Sequence, residues 1–181
     1  LKLKVLQYPN EILAQSTEQV SFPLEDSTKK LIADMTETVV NYPPGAAGLA
    51  APQVGVSLAL SVLDISKDPY HRDKEPFVII NPKILEESGK IRYHEGCLSV
   101  LGVRTMVPRY ANIKVKYFDI DGNEKIEEYS GFAGQVFQHE IDHLNGNLYL
   151  DKLGPMAKDI VLKKLKKIRS KNGQKAIKAE I

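Results

Sequence analysis

Between residues 26 and 42 the apolar side chains Leu31, Met35, Val39 and Tyr42 recur three and four apart, which predicts an amphipathic helix. Asp26 or Ser27 is placed to cap it and Pro43-Pro44 to stop it. Upstream, Val5 to Leu13 reads as an extended entry segment that turns at Pro9-Asn10. Leu58 to Leu63 and Phe77 to Ile80 are apolar runs of strand length, joined by a polar loop from Asp64 to Pro76 in which His71 is expected to be solvated. Asn81-Pro82 reads as a break, and Ile84-Leu85 and Ile91 to Tyr93 flank a turn at Glu87-Ser88-Gly89. Ile113, Val115 and Tyr117 alternate with Asn112, Lys114 and Lys116, as in a half-buried strand, and Asp121-Gly122 turns the chain back into Lys125 to Tyr129. Ser130 can cap a helix that ends near Gly146; beyond Gly154-Pro155 a second stripe, Ala157, Val161, Leu165 and Ile168, marks another, with lysines on its other faces. The pattern predicts an α+β fold, with antiparallel strands around a buried central helix and further helices near each terminus. Residues 1–169 make one domain on this reading, and 170–181 a basic tail that frays.

The central helix carries the chemistry. Phe132, Val136, His139 and His143 fall on one narrow stripe, and Phe137, Ile141, Leu144 and Leu148 on another roughly opposite, so the helix is expected to be buried on both sides. His139-Glu140-x-x-His143 sets two imidazoles a turn apart on one face, where both reach one metal ion. Glu140 points about 100° round the helix, close enough to act on a water rather than on the metal. The motif also arises by chance, and the third ligand decides the class. The long metzincin pattern would need a third His where Tyr149 stands. A thermolysin-like carboxylate would have to come from Asp151, Asp159 or Glu180, of which the first follows too closely and the last sits in the tail. Cys97, in His94-Glu95-Gly96-Cys97-Leu98-Ser99, remains. A lone cysteine is usually a buried small hydrophobe, but a thiolate beside two imidazoles with one open position makes a sound catalytic metal site. Such a donor set suits Fe²⁺, Zn²⁺, Ni²⁺ or Co²⁺, which spacing cannot rank. The small-residue stretch Gly45 to Gly55 allows close backbone approach to a ligand or to another element, and Gln53 is its one side chain with both a donor and an acceptor.

Composition adds mainly exclusions. At 181 residues, 43% hydrophobic and 27% charged, the chain is that of an ordinary globular protein, and a net charge of +2 does not argue for a nucleic-acid partner. No apolar run approaches the roughly 18 residues that would span a membrane. One cysteine excludes an internal disulfide framework and suits a reducing compartment. The chain starts at Leu1 without a secretory signal pattern, so removal of an initiator Met or of a longer presequence is expected.

Three segments, Gly48-Leu49-Ala50-Ala51-Pro52-Gln53, Glu95-Gly96-Cys97-Leu98-Ser99 and Gln138-His139-Glu140-Ile141-Asp142-His143-Leu144, occur in the order and spacing of the peptide deformylase family, which the chain resembles from about Val5 to Leu153. Tyr8-Pro9, Ile12-Leu13, Arg104 and Val107-Pro108-Arg109 match as well. The resemblance implies an enzyme that removes the formyl group from the formyl-methionine terminus of new polypeptides, using Fe²⁺ or a replacing divalent ion. It implies that Cys97, His139 and His143 hold the metal and that Glu140 is the general acid and base. Gln53 and the backbone N–H of Leu98 would stabilise the oxyanion, Gly48 would hydrogen-bond the substrate backbone, Phe132 and Val136 would line the methionine pocket, and Arg104 would lie near the peptide. It also implies a bacterial cytoplasm, or an organelle after presequence removal, and makes ribosome docking through Lys163, Lys164, Lys166 and Lys167 a sensible expectation beside that of a plain solvated helix face. Two positions depart from the pattern: Ala46 where the first motif usually begins with glycine, and Leu101 where proline is common.

Two other readings compete. A zinc endopeptidase shares His-Glu-x-x-His but lacks a third His or a well-placed carboxylate. A non-catalytic binding protein stabilised by a metal would leave Glu140 without a role.

Overall fold

The computed structural model describes residues 2–42 and 45–179, with side chains as far as Gly173. Its five strands form one antiparallel sheet in chain order: β1 (Gly48–Ala50), β2 (Leu60–Leu63), β3 (Phe77–Cys97), β4 (Val100–Phe118) and β5 (Glu124–Ser130). Three α-helices accompany it: α1 (Asp26–Val40), α2 (Gly131–Leu144) and α3 (Pro155–Ala179).

The strands differ most from expectation in length. Asn81-Pro82 does not break the chain, and Glu87-Ser88-Gly89 is not a turn; β3 runs through both for 21 residues. A register shift between Ile80 and Lys83 absorbs the proline, and Asn81 takes a left-handed φ of 49°. The Asn81 side chain is held there by Val20, whose N–H it accepts and whose carbonyl it donates to, both at 2.9 Å. Ile113, Val115 and Tyr117 belong to the 19-residue β4, and the reversal between the two long strands falls at Leu98-Ser99. The hairpin at Asp121-Gly122 and its return strand lie where the alternation placed them.

The helices follow their stripes. Met35 and Val39 of α1 are buried, joined by Ile32, while Pro43-Pro44 lies outside the described residues. Neither expected cap is used. Glu25 precedes α1 with no side-chain cap, and Ser130 precedes α2 likewise. The buried carboxylate of Asp68 accepts the Ala133 N–H instead, at 3.0 Å, so the loop after β2 pins the start of α2. On α3, Val161 and Leu165 are buried under the β3–β4 reversal, and the backbone carries on helically from residue 170 to Ala179.

Three apolar clusters hold these parts together. One joins α1 to β1 and β2; another packs α2 on β2, β4 and β5; and the last seats α3 and residues 148–150 against the start of β4. Phe137 is fully buried in the second, stacked on Tyr129 with ring centroids 4.2 Å apart and beside Tyr117 and Phe77. Leu98, Phe132 and Cys97 lie at the margins of the first, second and third clusters respectively. The site forms where the three meet. No described helix is long and apolar enough to cross a membrane.

Candidate active site

The end of β3 and the face of α2 bring Cys97, His139 and His143 together, with ligand-type atoms all within 4.8 Å of one another. Cys97 Sγ lies 3.4 Å from His143 Nε2, and the two imidazole centroids are 5.0 Å apart. Among the described residues no other group of this kind could hold a metal ion, and Glu180 lies outside them. Cys97 Sγ also accepts from the Ser99 N–H at 3.4 Å and from Gln53 Nε2 at 3.7 Å. Glu140 Oε2 and His143 Nδ1 are buried without hydrogen-bond partners, which an apolar packing role would not produce. The donor set fits one divalent cation.

Each imidazole is set differently. His139 Nδ1 faces Glu95 Oε2 at 2.9 Å, which turns Nε2 toward the cluster. Burial works against charge on His139, but hydrogen bonds to Cys97 and Glu95 outweigh it and hold its pKa well above the ordinary value. Burial and the neighbouring His139 push His143 well below it, so that ring stays neutral. Burial also raises the Glu140 carboxyl to about 7, a value that lets it accept and return a proton near neutrality.

Glu95 is the residue that the sequence did not single out. Its carboxylate accepts from Arg109 Nε at 2.7 Å and Nη2 at 2.8 Å, and the third guanidinium nitrogen reaches Asp142 on α2. A closed ring results, running from His139 through Glu95 on β3 and Arg109 on β4 back to Asp142 on α2. Burial alone would raise the Glu95 pKa, but hydrogen bonds from Arg109 and His139 bring it down to about 2. Gln138 ties the same helix to β4, accepting from the Tyr110 N–H at 2.9 Å and donating to its carbonyl at 3.0 Å. Glu95 and Arg109 stand inside segments that match the family, yet nothing in their spacing announces a pair.

The other anticipated residues line one cavity of about 590 Å³. Phe132 and Val136 form part of its wall beside His139 and Glu140, with Gly48, Gln53, Leu98 and Arg104 elsewhere on its lining. Gln53 is fixed at both ends: Oε1 accepts from the Ala50 N–H at 2.9 Å, and Nε2 donates to Ser99 Oγ at 3.1 Å as well as facing Cys97. The entry segment clamps both loops. Leu6 N–H donates to the Gln53 carbonyl, Tyr8 N–H to that of Ser99, and the Gln7 side chain to that of Leu98. Ala46 takes the place of a glycine without a positive φ, which Gly45 adopts at 106°. Leu101 is exposed at the cavity rim. A second hollow, about 670 Å³, lies on the far side of Arg109 under the β3–β4 hairpin and contains none of the three ligand-type residues.

A half-buried Cys–His–His cluster beside a buried carboxylate, with two of its members on a helix packed against an antiparallel sheet, defines a metallohydrolase-type site. The family model for polypeptide deformylases matches residues 2–159. The chain is 41% identical to the peptide deformylase of Chlorobium phaeovibrioides over 94% of its own length and 88% of the relative's. It is 40% identical to that of Brucella suis over 88% and 91%. The crystal structure of the Legionella pneumophila peptide deformylase superposes with a TM-score of 0.85 at 38% identity, covering 96% of this chain and 98% of that one. The chain belongs to the peptide deformylase family, a family of metal-dependent hydrolases.

Proposed function

We propose that this chain removes the formyl group from formyl-methionine at the start of new polypeptides, and that residues 1–169 form the catalytic unit. The observation that carries the reading is the unpartnered Glu140 carboxylate beside the Cys97, His139 and His143 cluster, in a cavity walled by Phe132 and Val136. Cys97, His139 and His143 would hold one divalent ion, Fe²⁺ by analogy with the family, with Zn²⁺, Ni²⁺ or Co²⁺ as substitutes. Bound there, the ion would supply a Lewis acid that polarises the formyl carbonyl and lowers the pKa of water toward about 7.

This chain's own groups do the rest. Phe132 and Val136 take the methionine side chain and fix the formyl carbon beside Glu140. Glu140, itself buried, accepts the proton of the attacking water and passes it to the departing amine as formate leaves. The Gln53 amide and the Leu98 N–H donate to the developing oxyanion; one such donor is typically worth about 3–4 kcal/mol. Gly48 presents its backbone to the peptide, and Arg104 stands near its downstream residues. The compartment proposed is the cytoplasm of a bacterium, or an organelle. The exposed lysines 163, 164, 166 and 167 on α3 offer a face for docking to ribosomal RNA or protein.

Anaerobic purification with metal analysis, paired with formate release from formyl-Met peptides, tests the reading. Formate release without internal cleavage is expected. Internal cleavage, or a metal-loaded protein that leaves formyl peptides intact, would overturn it.

A further inference from the structure

The cavity that holds the cluster opens past two uncompensated cations. On one wall stands Lys67, from the loop after β2; a Cβ built on Gly45 would come within 3.2 Å of its Nζ, so the ammonium sits directly over the backbone leading into β1. On the wall formed by β4 stands Arg104, whose guanidinium donates to the His94 carbonyl at 3.0 Å and to the His94 ring at 3.4 Å. Both side chains are exposed, and among the described residues neither makes an ion pair. The carboxylates that line the same cavity cannot balance them. Glu95 is buried and paired with Arg109 and His139, and Glu140 is buried beside the Cys97, His139 and His143 cluster. The uncancelled charge at the mouth is therefore positive.

Given the deformylase reading, on which this inference rests, the geometry points to Lys67 as a specificity determinant that favours acidic side chains at the second and third residues of the formyl-methionyl peptide. A formylated terminus carries no ammonium group, so the peptide offers this field nothing at its first residue. The methionine side chain is taken up between Phe132 and Val136, and an extended chain advances about 3.3 Å per residue beyond it. The next two residues then leave through the cavity that Lys67 lines, where an acidic side chain is attracted and a basic one repelled. Arg104 adds to the same field from the other wall. The consequence is in substrate capture rather than in the chemical step, and so in KM more than in kcat.

The test uses the metal-loaded enzyme and three C-terminally amidated peptides, so that no terminal carboxylate contributes: formyl-Met-Ala-Ala, formyl-Met-Asp-Asp and formyl-Met-Lys-Lys. At low salt, kcat/KM is expected to fall in the order acidic, neutral, basic, with about a fivefold or larger spread carried by KM. The spread should collapse near 1 M salt, where the Debye length is about 3 Å. Lys67→Glu should abolish or reverse the acidic-to-basic ratio, and Lys67→Arg should restore it. A ratio near one in the parent enzyme, or one that Lys67→Glu leaves unchanged, overturns the inference while turnover of the neutral peptide keeps the deformylase reading intact. No turnover of the neutral peptide by the loaded enzyme overturns both.

Discussion

Gly48 lies flush against Glu140: a Cβ added to Gly48 would come within 2.6 Å of Oε1, 2.7 Å of Cδ and 2.8 Å of Cγ. Glu140 is anchored to a buried helix and Gly48 to a buried strand, so neither can yield cheaply. Gly48→Ala should therefore swing the Glu140 carboxylate out of line, and a misplacement of about 1 Å costs on the order of 10²-fold in rate. The expected variant is folded and binds its full complement of metal, with kcat lower by about that factor. Parent-like formate release would show that the carboxylate has room that the structure does not give it.

Glu140→Ala separates catalysis from stability. Burial raises this carboxyl to about 7, and its Oε2 has no partner, so its removal relieves a desolvation cost rather than breaking a bond. Turnover should drop by several orders of magnitude, as general acid–base groups are worth about 10²–10⁴ and the proposed mechanism uses this one twice. Metal content should be kept, and the thermal midpoint should stay or rise. Calorimetry and elemental analysis on one preparation check both.

Glu95→Ala should act in the opposite direction. It leaves the Arg109 guanidinium, 2% exposed, without two of its hydrogen bonds, and breaking a buried pair from one side costs about 3–5 kcal/mol. It also releases His139 Nδ1. Denaturant unfolding should show the unfolding free energy falling by that amount, and metal affinity should weaken about 10–100-fold with it. A loss of activity with parent stability would contradict the ring from His139 to Asp142.

Acid should loosen the far end of the sheet through Glu127. Burial raises its pKa, but hydroxyl donors from Tyr129 and Tyr117 outweigh this and leave the folded value below that of the unfolded chain. With a depressed folded pKa, the stabilisation is fully present above the ordinary glutamate value of about 4.3 and fades as pH falls through the folded value. Glu127→Gln should flatten the dependence of the thermal midpoint on pH below about 5. An unchanged slope would mean the two phenols contribute nothing to folding.

The sequence by itself determined the elements with strong period and the candidate ligands with fixed local spacing. His139 and His143 share a face because any helix places i and i+4 together, and Phe132 and Val136 follow by the same rotation. Cys97, 42 residues upstream in the chain, came by elimination and by likeness to a family, since no local rule links a strand end to a helix. Tertiary structure decided the rest. It carried β3 through Asn81-Pro82, because Val20 supplies the hydrogen bonds a left-handed residue needs there. It capped α2 with Asp68 in place of the adjacent Ser130. It also drew Glu95, Arg109 and Asp142 into one ring, and set Lys67 over Gly45 at the cavity mouth. Charged residues have no period to read. Their partners are fixed only when strands and helices that are distant in sequence pack together and leave a buried charge no water to turn to.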